Sequence, residues 1–294
     1  MGEKPFSESS VPSSDREDSV HFTRHSKADY WTSRQIRSSE NPARGIDPEN
    51  QIQPDLSPEG FELAEKKARE LMATIDPEHD ALFFVSSNEV RALETANTYR
   101  IAAHELGFEV VTPEKTGTKL AGKIGEGEIR TVHNLSLNND NLLLISLFNP
   151  DALNVSVNWD VVDPETLAKY EQVRALVRTK DYGSFGPNFF HYSEEAAKIV
   201  PEIETARDLY ERQFKNLVRL AEFAIKKSSE SGMQKNIKVL AFGHENYMSY
   251  ALDKYFADHN IKNCETVDVT VDDEGVNMTR NGETNQIKSN EEAS

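Results

Sequence analysis

Short apolar runs that end at polar residues recur along the chain and predict buried β-strands. They are residues 20–23 (Val-His-Phe-Thr), 81–85 (Ala-Leu-Phe-Phe-Val) and 237–242 (Ile-Lys-Val-Leu-Ala-Phe). An uninterrupted apolar run such as the second is typical of a strand that is buried on both faces of a sheet. Residues 266–271 alternate in polarity and a turn follows at 272–275, which predicts that the domain closes with a β-hairpin.

Helical spacing of apolar residues is found between these runs. From Phe61 to Ile75 the apolar positions recur at steps of 3, 4, 3 and 4 residues, which predicts one buried helix face. Ser57 and Pro58 are typical of a helix start, because serine caps free N–H groups and proline fits the first turn. The spacing of a capping box at residues 86–89 predicts the start of a second helix. Further helices are predicted over residues 163–177, 203–224 and 247–259.

Strands that alternate with helices predict a mostly parallel sheet with helices on both faces. The predicted fold class is therefore α/β, a three-layer sandwich. Residues 113–200 depart from this alternation and are predicted to form a helical and loop insertion that caps the strand ends. Within them, glycines mark a loop at 117–127, the apolar run 142–148 fits either a helix or a strand, and aromatic residues crowd an irregular segment at 182–192.

The two ends of the chain carry serine and charged residues with few apolar side chains. Residues 1–19 and 279–294 would bury too little apolar surface to offset the entropy lost on ordering them. The sequence therefore predicts one folded domain over residues 20–278, with a disordered tail on each side.

Charge and cysteine content exclude several classes of protein. The chain has 294 residues and a formal net charge of −17, whereas a nucleic-acid binder needs a basic face. The one cysteine, Cys264, excludes an internal disulfide framework and suits a reducing compartment. The longest apolar run is far shorter than the ~20 residues that cross a bilayer, and the N-terminus lacks the apolar core of a signal peptide. We expect a cytoplasmic protein that binds neither nucleic acid nor membrane; its oligomeric state is left open.

Ionisable residues follow three of the predicted strands. Arg24 and His25 end the first, Arg91 lies one turn into the helix after the second, and His244 and Glu245 follow the third. Because ligands bind at the carboxyl ends of strands in an open parallel sheet, we expect these side chains to share one crevice. Guanidinium groups match phosphate oxygens, and a neutral imidazole is a good nucleophile toward phosphorus. The set predicts a phosphoryl site without a metal, since fixed cations replace Mg²⁺.

Four motifs carry these residues, and their order resembles that of the histidine phosphatase superfamily, the phosphoglycerate-mutase-like proteins. The family pattern is Arg-His-Gly at a strand end, a Leu-Thr/Ser-x-x-Gly helix start, a Ser-x-x-x-Arg-Ala-x-x-Thr-Ala segment and a late Gly-His. The resemblance covers about residues 20–110 and 205–278. The motifs are residues 22–26 (Phe-Thr-Arg-His-Ser), 55–60 (Asp-Leu-Ser-Pro-Glu-Gly), 86–96 (Ser-Ser-Asn-Glu-Val-Arg-Ala-Leu-Glu-Thr-Ala) and 242–244 (Phe-Gly-His).

The resemblance implies a metal-independent phosphatase that acts on a small phosphomonoester and needs no cofactor. His25 would take the phosphoryl group as a phosphohistidine. Arg24 and Arg91 would bind its oxygens. His244 would stabilise the charge of the transition state, and water would then attack the phosphohistidine.

A carboxylic acid would have to protonate the leaving alcohol, and the resemblance offers two places for it. Phytase-like members carry an acid directly after the second histidine, which here is Glu245. Mutase-like members carry a glutamate after the middle strand, which would correspond to Glu126 or Glu128. Glu245 is preferred because it directly follows the Gly-His motif. It could instead be a carboxylate at a helix N-terminus that interacts favourably with the helix dipole.

The chain departs from the family pattern after the first histidine. Ser26 stands where glycine is usual; serine is small and adds a hydroxyl, so we expect activity to survive. Residues 27–31 replace the Glu-Ser and asparagine of mutases and look more like the start of bacterial phosphohistidine phosphatases. A phosphohistidine phosphatase, a phosphomutase and a non-catalytic phosphate-binding protein thus stay as alternatives. Four basic residues, Lys27, Arg34, Arg37 and Arg44, could reach a second anionic group, but a solvated loop is favoured.

Overall fold

A mixed β-sheet forms the centre of the protein in a computed structural model. The model describes residues 19–29, 55–87, 90–111, 131–132, 135–136, 142–144, 164–179, 189–201, 203–230, 235–272 and 275–287. In chain order the strands are β1 (Ser19–Arg24), β2 (Asp80–Ser86), β3 (Glu109–Val110), β4 (Thr131–Val132), β5 (Leu135–Ser136), β6 (Leu142–Leu144), β7 (Asn236–Gly243), β8 (Thr266–Asp272), β9 (Gly275–Arg280) and β10 (Glu283–Ile287).

The main sheet has a parallel centre and an antiparallel edge. Its strand order is β10-β9-β8-β1-β7-β2-β3, with β6 also paired to β2. Strands β1, β2, β3, β6 and β7 pair in parallel, whereas β8, β9 and β10 continue the sheet antiparallel from β1. The predicted closing hairpin is confirmed by β8 and β9. The apolar run at 142–148, which fitted either a helix or a strand, contains the strand β6.

Helices cover both faces of this sheet, which confirms the predicted α/β three-layer sandwich. Alternate residues of β2 point to opposite layers: Leu82 and Phe84 pack with the helices at Pro58–Met72 and Val90–Glu105, and Phe83 and Val85 pack on the side of the helix at Ala206–Glu230. All four side chains are fully buried, as the apolar run predicted. The helices are α1 (Pro58–Met72), α2 (Val90–Glu105), α3 (Pro164–Thr179), α4 (Phe189–Ile199), α5 (Ala206–Glu230) and α6 (Ser249–Phe256), with a 3₁₀ turn at Glu245–Tyr247.

The start of α1 is built as its sequence predicts. The Ser57 side chain accepts a hydrogen bond from the N–H of Gly60, and Pro58 lies in the first turn. Gly60 permits a close approach to the segment after β1, because a Cβ at this position would lie 2.1 Å from the carbonyl oxygen of Lys27. The first turn of α1 therefore packs directly against the residues that follow His25.

The sheet continues past residue 278, where the sequence predicted a disordered tail. Strand β10 pairs with β9 through a two-residue turn, Asn281-Gly282, in which both residues have positive φ. Asn-Gly is the preferred dipeptide of such turns because both positions need left-handed backbone conformations. The tail prediction was wrong for residues 279–287, because it weighed apolar content and neglected backbone pairing at an edge strand.

The aromatic segment at 182–192 is also more regular than expected. Residues Phe189 to Tyr192 lie in the first turn of α4, and Tyr192 is fully buried in the core on the α5 side of the sheet. The prediction of an irregular segment was wrong for these residues. Tyr182, Phe185 and the glycine-rich loop at 117–127 lie outside the described residues.

In the described ranges, no helix combines the length and the apolar character that a membrane crossing requires.

A buried carboxyl group joins α2 to the segment that precedes α1. Glu94 is fully buried, and one of its oxygens accepts the backbone N–H of Leu56 at 2.9 Å. Leu56 in turn forms an antiparallel bridge with Ala28. Burial raises the pKa of Glu94 to about 8, with a smaller upward contribution from the nearby carboxylate of Asp55.

This raised pKa predicts that the protein loses stability as pH rises. The folded state holds the Glu94 proton up to a pH of about 8, whereas the unfolded chain releases it near 4.5. The free energy of unfolding is therefore highest below the pKa of the unfolded chain. It falls by a few kcal/mol as the pH rises through the pKa of the folded state, since each pKa unit is worth about 1.4 kcal/mol. Glu94→Gln keeps an oxygen for Leu56 and removes the ionisation. Its urea midpoint should change less with pH than that of the wild type.

Urea unfolding of both proteins between about pH 5 and pH 9 measures this difference. Glu62→Gln, which removes an exposed carboxylate on α1, is the matched control and should follow the wild type. Parallel curves for Glu94→Gln and the wild type would show that Glu94 is not the responsible group.

Candidate active site

The register of the parallel strands brings the predicted residues to one edge of the sheet. Arg24 at the end of β1 pairs with Gly243 at the end of β7. The backbone N–H of His25 donates to the carbonyl of Gly243 at 2.9 Å, and that of Ser87 donates to the carbonyl of Phe242 at 3.0 Å. Three strands thus end at one level, and the rings of His25 and His244 lie 5.2 Å apart, centre to centre.

The imidazole of His25 has a defined tautomer. Its Nδ1 lies 2.6 Å from the backbone carbonyl oxygen of Ser26. Because a carbonyl can only accept, Nδ1 carries the proton and Nε2 keeps its lone pair. Burial, together with the positive charges of Arg91 and Arg24, lowers the pKa of His25 well below its ordinary value. The ring is therefore neutral at physiological pH, with a lone pair for attack on an electrophile.

The imidazole of His244 has the opposite arrangement. Its Nδ1 lies 3.3 Å from Nη2 of Arg91, and its Nε2 lies 3.0 Å from Oγ of Ser87. Because a guanidinium can only donate, Nδ1 accepts from Arg91 and Nε2–H donates to Ser87. Burial is the largest cause that lowers the pKa of His244, followed by the positive charge of Arg91. His244 is thus a neutral donor group held by the helix that carries Arg91.

Arg24 and Glu245 form an ion pair beside the two imidazoles. Nη1 of Arg24 lies 2.7 Å from Oε2 of Glu245, and both side chains are mostly buried. Nη1 also donates to the backbone carbonyl of Ile261. Burial raises the pKa of Glu245, while the charges of Arg24 and Arg91 oppose that shift. The structure thus places Glu245 in contact with one of the two predicted phosphate-binding arginines.

Two residues that the sequence did not single out hold the segment after β1. The hydroxyl oxygen of Thr95 accepts the N–H of Ser26 at 2.9 Å, and Nδ2 of Asn263 donates to the carbonyl of His25 at 2.9 Å. The side chain of Ser87, directly after β2, contacts His244. Thr95 lies inside the third motif, so the motif was a signal for it; nothing in the sequence marked Asn263.

The other candidates lie away from this cluster or outside the described residues. Lys27 is exposed and lies 3.8 Å from Glu59 on α1, as expected for a solvated position. In the ranges that the structure describes, no group of three or more His, Cys, Asp or Glu residues could hold a metal ion. Five candidates lie outside these ranges, namely Arg34, Arg37, Arg44, Glu126 and Glu128.

Comparison with known proteins gives structural neighbours only. No protein-family model matches the chain, and no curated protein matches its sequence. Phosphoglycerate mutase from Bacillus anthracis is similar, with a TM-score of 0.45, 12% identity and 93% of each chain covered. A histidine-to-alanine mutant of phosphoserine phosphatase from Entamoeba histolytica, in complex with phosphoserine, has a TM-score of 0.40 and 12% identity, covering 89% of this chain and 94% of that one.

The product of open reading frame Rv3214 from Mycobacterium tuberculosis is also similar, with a TM-score of 0.42 and 11% identity over 92% of this chain and 99% of that one. At identities this low, any function assigned to the chain has to rest on the geometry of its own site.

That geometry is suited to a small anion with several oxygens. Two guanidinium groups, from Arg24 and Arg91, border two buried neutral imidazoles. Guanidinium groups bind phosphate oxygens in a forked geometry and stay charged at all physiological pH values. Beside these guanidinium groups, His25 has an available lone pair, His244 has a donor N–H, and Glu245 is a carboxyl group in contact with Arg24. This combination can carry out displacement at phosphorus.

Removal of the Arg91 charge should raise the pKa of both imidazoles. Arg91 is the second-largest cause that lowers each pKa, after burial, so Arg91→Gln leaves the burial effect and removes the repulsion of a second cation. Titration of the histidine ring protons by NMR measures the shift. Arg100→Gln, on the same helix, is the matched control and should leave both values unchanged. Unchanged values in Arg91→Gln would contradict this description of the site.

Proposed function

We propose that the protein is a metal-independent phosphatase that hydrolyses a phosphomonoester through a phosphohistidine on His25. One observation carries the proposal: the buried His25 ring is held as the tautomer whose Nε2 lone pair is available, near enough to Arg91 and Arg24 for their charges to lower its pKa. A neutral imidazole can attack phosphorus, and the attack divides one difficult displacement into two easier ones. The four sequence motifs point to the same role for His25.

In the first step, Nε2 of His25 forms a bond to phosphorus while the ester P–O bond breaks. The leaving alkoxide takes a proton from the Glu245 carboxyl, which holds that proton once Arg24 turns from it to the phosphoryl oxygens and burial, which raises its pKa, is the larger effect. Arg24 and Arg91 bind the phosphoryl oxygens, and the Nε2–H of His244 is a donor that can turn from Ser87 to an oxygen in the transition state. The products of this step are an alcohol and a phosphohistidine.

In the second step, water attacks the phosphohistidine and the N–P bond breaks. The Glu245 carboxylate takes a proton from the water, so the acid is regenerated and phosphate is released. His25 returns to its neutral form with the proton still on Nδ1, because the Ser26 carbonyl continues to accept from it. The two arginines supply the positive charge that a divalent metal supplies in many other phosphoryl-transfer enzymes.

Replacement of His25 should abolish turnover. We expect the wild type to hydrolyse p-nitrophenyl phosphate in the presence of EDTA, and His25→Ala to lose this activity because the attacking lone pair is gone. His79→Ala is the matched control, since His79 is an exposed histidine paired with Asp76 at the other end of β2. Its activity should equal that of the wild type.

Three results, from this experiment and from two further assays, would contradict the proposed function. Full turnover in His25→Ala would rule out the phosphohistidine route. Vanadate binding by the wild type, without turnover on a broad panel of phosphate esters, would favour a phosphate-binding protein. Turnover that requires a bisphosphate primer would favour a phosphomutase.

Glu245→Gln should slow alkyl phosphates far more than aryl phosphates. An alkoxide leaves poorly without a proton, and general acid catalysis contributes about 10²- to 10⁴-fold, whereas a nitrophenolate leaves unaided. We therefore expect a large fall in kcat for an alkyl phosphate and a small one for p-nitrophenyl phosphate. The two substrates are each other's control. An equal fall of kcat on both substrates would indicate that Glu245 only holds Arg24 in place. Glu126 or Glu128 would then be the candidate for the acid.

A further inference from the structure

The peptide that follows His25 is held by hydrogen bonds from three separate elements. The N–H of Ser26 donates to Oγ1 of Thr95 on α2, at 2.9 Å. The hydroxyl of Ser26 donates to the carbonyl of Gly60 on α1, at 2.7 Å. The amide of Asn263, ahead of β8, donates to the carbonyl of His25 at 2.9 Å. The carbonyl of Ser26, which belongs to the next peptide bond, accepts from Nδ1 of His25, so the orientation of Ser26 sets the position of this acceptor.

Among these contacts, the hydrogen bond to Gly60 comes from the Ser26 side chain, and Ser26 stands where the family pattern has glycine. Ser26 is fully buried, so its hydroxyl has no access to bulk water. The thiol of Cys264, whose pKa is raised by burial, also lies within hydrogen-bond reach of the Ser26 side chain. A glycine or an alanine at this position would lack the hydroxyl that donates to the Gly60 carbonyl on α1. Of the two hydrogen bonds that residue 26 donates, only the one from its N–H to Thr95 would remain.

The position of the Ser26 peptide decides which nitrogen of His25 carries the proton. If its carbonyl turns away, Nδ1–H loses its acceptor, and the other neutral tautomer, with Nε2 protonated, becomes competitive. That tautomer has no lone pair on the nitrogen that would attack phosphorus. A small rotation of one buried peptide would therefore switch off the nucleophile without removing any catalytic group.

We propose that Ser26 is a positioning residue, whose buried hydroxyl fixes the peptide that orients His25 and selects its reactive tautomer. The importance of this tautomer for catalysis rests on the proposed function, but the tautomer itself is a property of the free protein. Thr95 extends the effect to the phosphate-binding side of the site. Its hydroxyl accepts from Ser26 and donates to the backbone carbonyl of Arg91 at 2.7 Å, so the peptide is also tied to the turn that carries Arg91.

Two substitutions and one control test the proposal. Ser26→Ala removes the hydroxyl and keeps Cβ, and Ser26→Gly restores the residue that is usual in the family. Ser193→Ala is the matched control, because Ser193 is equally buried and also makes one hydrogen bond to the backbone, from the N–H of Ala206 at 3.0 Å. It should cost a similar amount of stability, measured as the melting temperature, without a change in kcat.

The first readout is nitrogen NMR of histidine-labelled protein, which distinguishes the two neutral tautomers; the spectrum of His25→Ala identifies the His25 signals. We expect one tautomer in the wild type and in Ser193→Ala, and a mixture in both Ser26 variants. The second readout is the kinetics on p-nitrophenyl phosphate. We expect kcat to fall at least about tenfold in the Ser26 variants, with KM close to that of the wild type, since a misplaced reacting group mainly affects the chemical step.

A single, unchanged tautomer in both Ser26 variants would overturn the proposal, whatever their activity. An equal fall of kcat in Ser193→Ala at the same loss of melting temperature would also overturn it, because the effect would then follow stability alone. Absence of turnover in the wild type would contradict the proposed function, and the tautomer measurement would still decide the role of Ser26.

Discussion

Burial of two histidines beside two arginines governs the chemistry of this site. A charged imidazole there would lose its hydration, which is the larger effect, and would also be repelled by the guanidinium charges. The arginines keep their charge because of their high intrinsic basicity, so the histidines give up theirs. Neutral imidazoles and permanent cations therefore coexist side by side, which is the arrangement that a nucleophile for an anionic substrate needs.

The sheet makes this arrangement possible because its parallel strands end at one level. His25 and His244 extend from neighbouring strands, β1 and β7, and Arg91 projects from the helix that follows the next strand, β2. The side chains need no long flexible loop to meet, since the backbone register alone sets their spacing. Hydrogen bonds from Ser26, Thr95 and Asn263 then restrict the remaining freedom of the segment after β1.

Local patterns made much of this predictable. The apolar run in β2 and the serine–proline start of α1 depend on neighbours in the sequence, so they could be read directly. The meeting of His25 with His244 required one further step, the rule that ligands bind at the carboxyl ends of parallel strands.

Contacts between distant segments were harder to foresee. Asn263 lies 238 residues from His25, and no periodicity or motif connects an asparagine in a connecting loop to a carbonyl that far away. Strand β10 escaped notice because an edge strand is held mainly by backbone pairing, to which its side chains contribute little. The contact of Glu245 with Arg24 depends on rotamers that only the packed core determines.

The pairing of β1 with β7 has a consequence for how the chain is made. Strand β1 has to wait for partners that are synthesised long after it, since Arg24 pairs with Gly243 and Thr23 with Thr266. Until then β1 presents two unpaired apolar edges, the kind of surface that associates with other chains during slow, non-local folding. The nascent chain thus exposes β1 through a long part of its synthesis, and the site becomes complete only after β7 and β8 have been made.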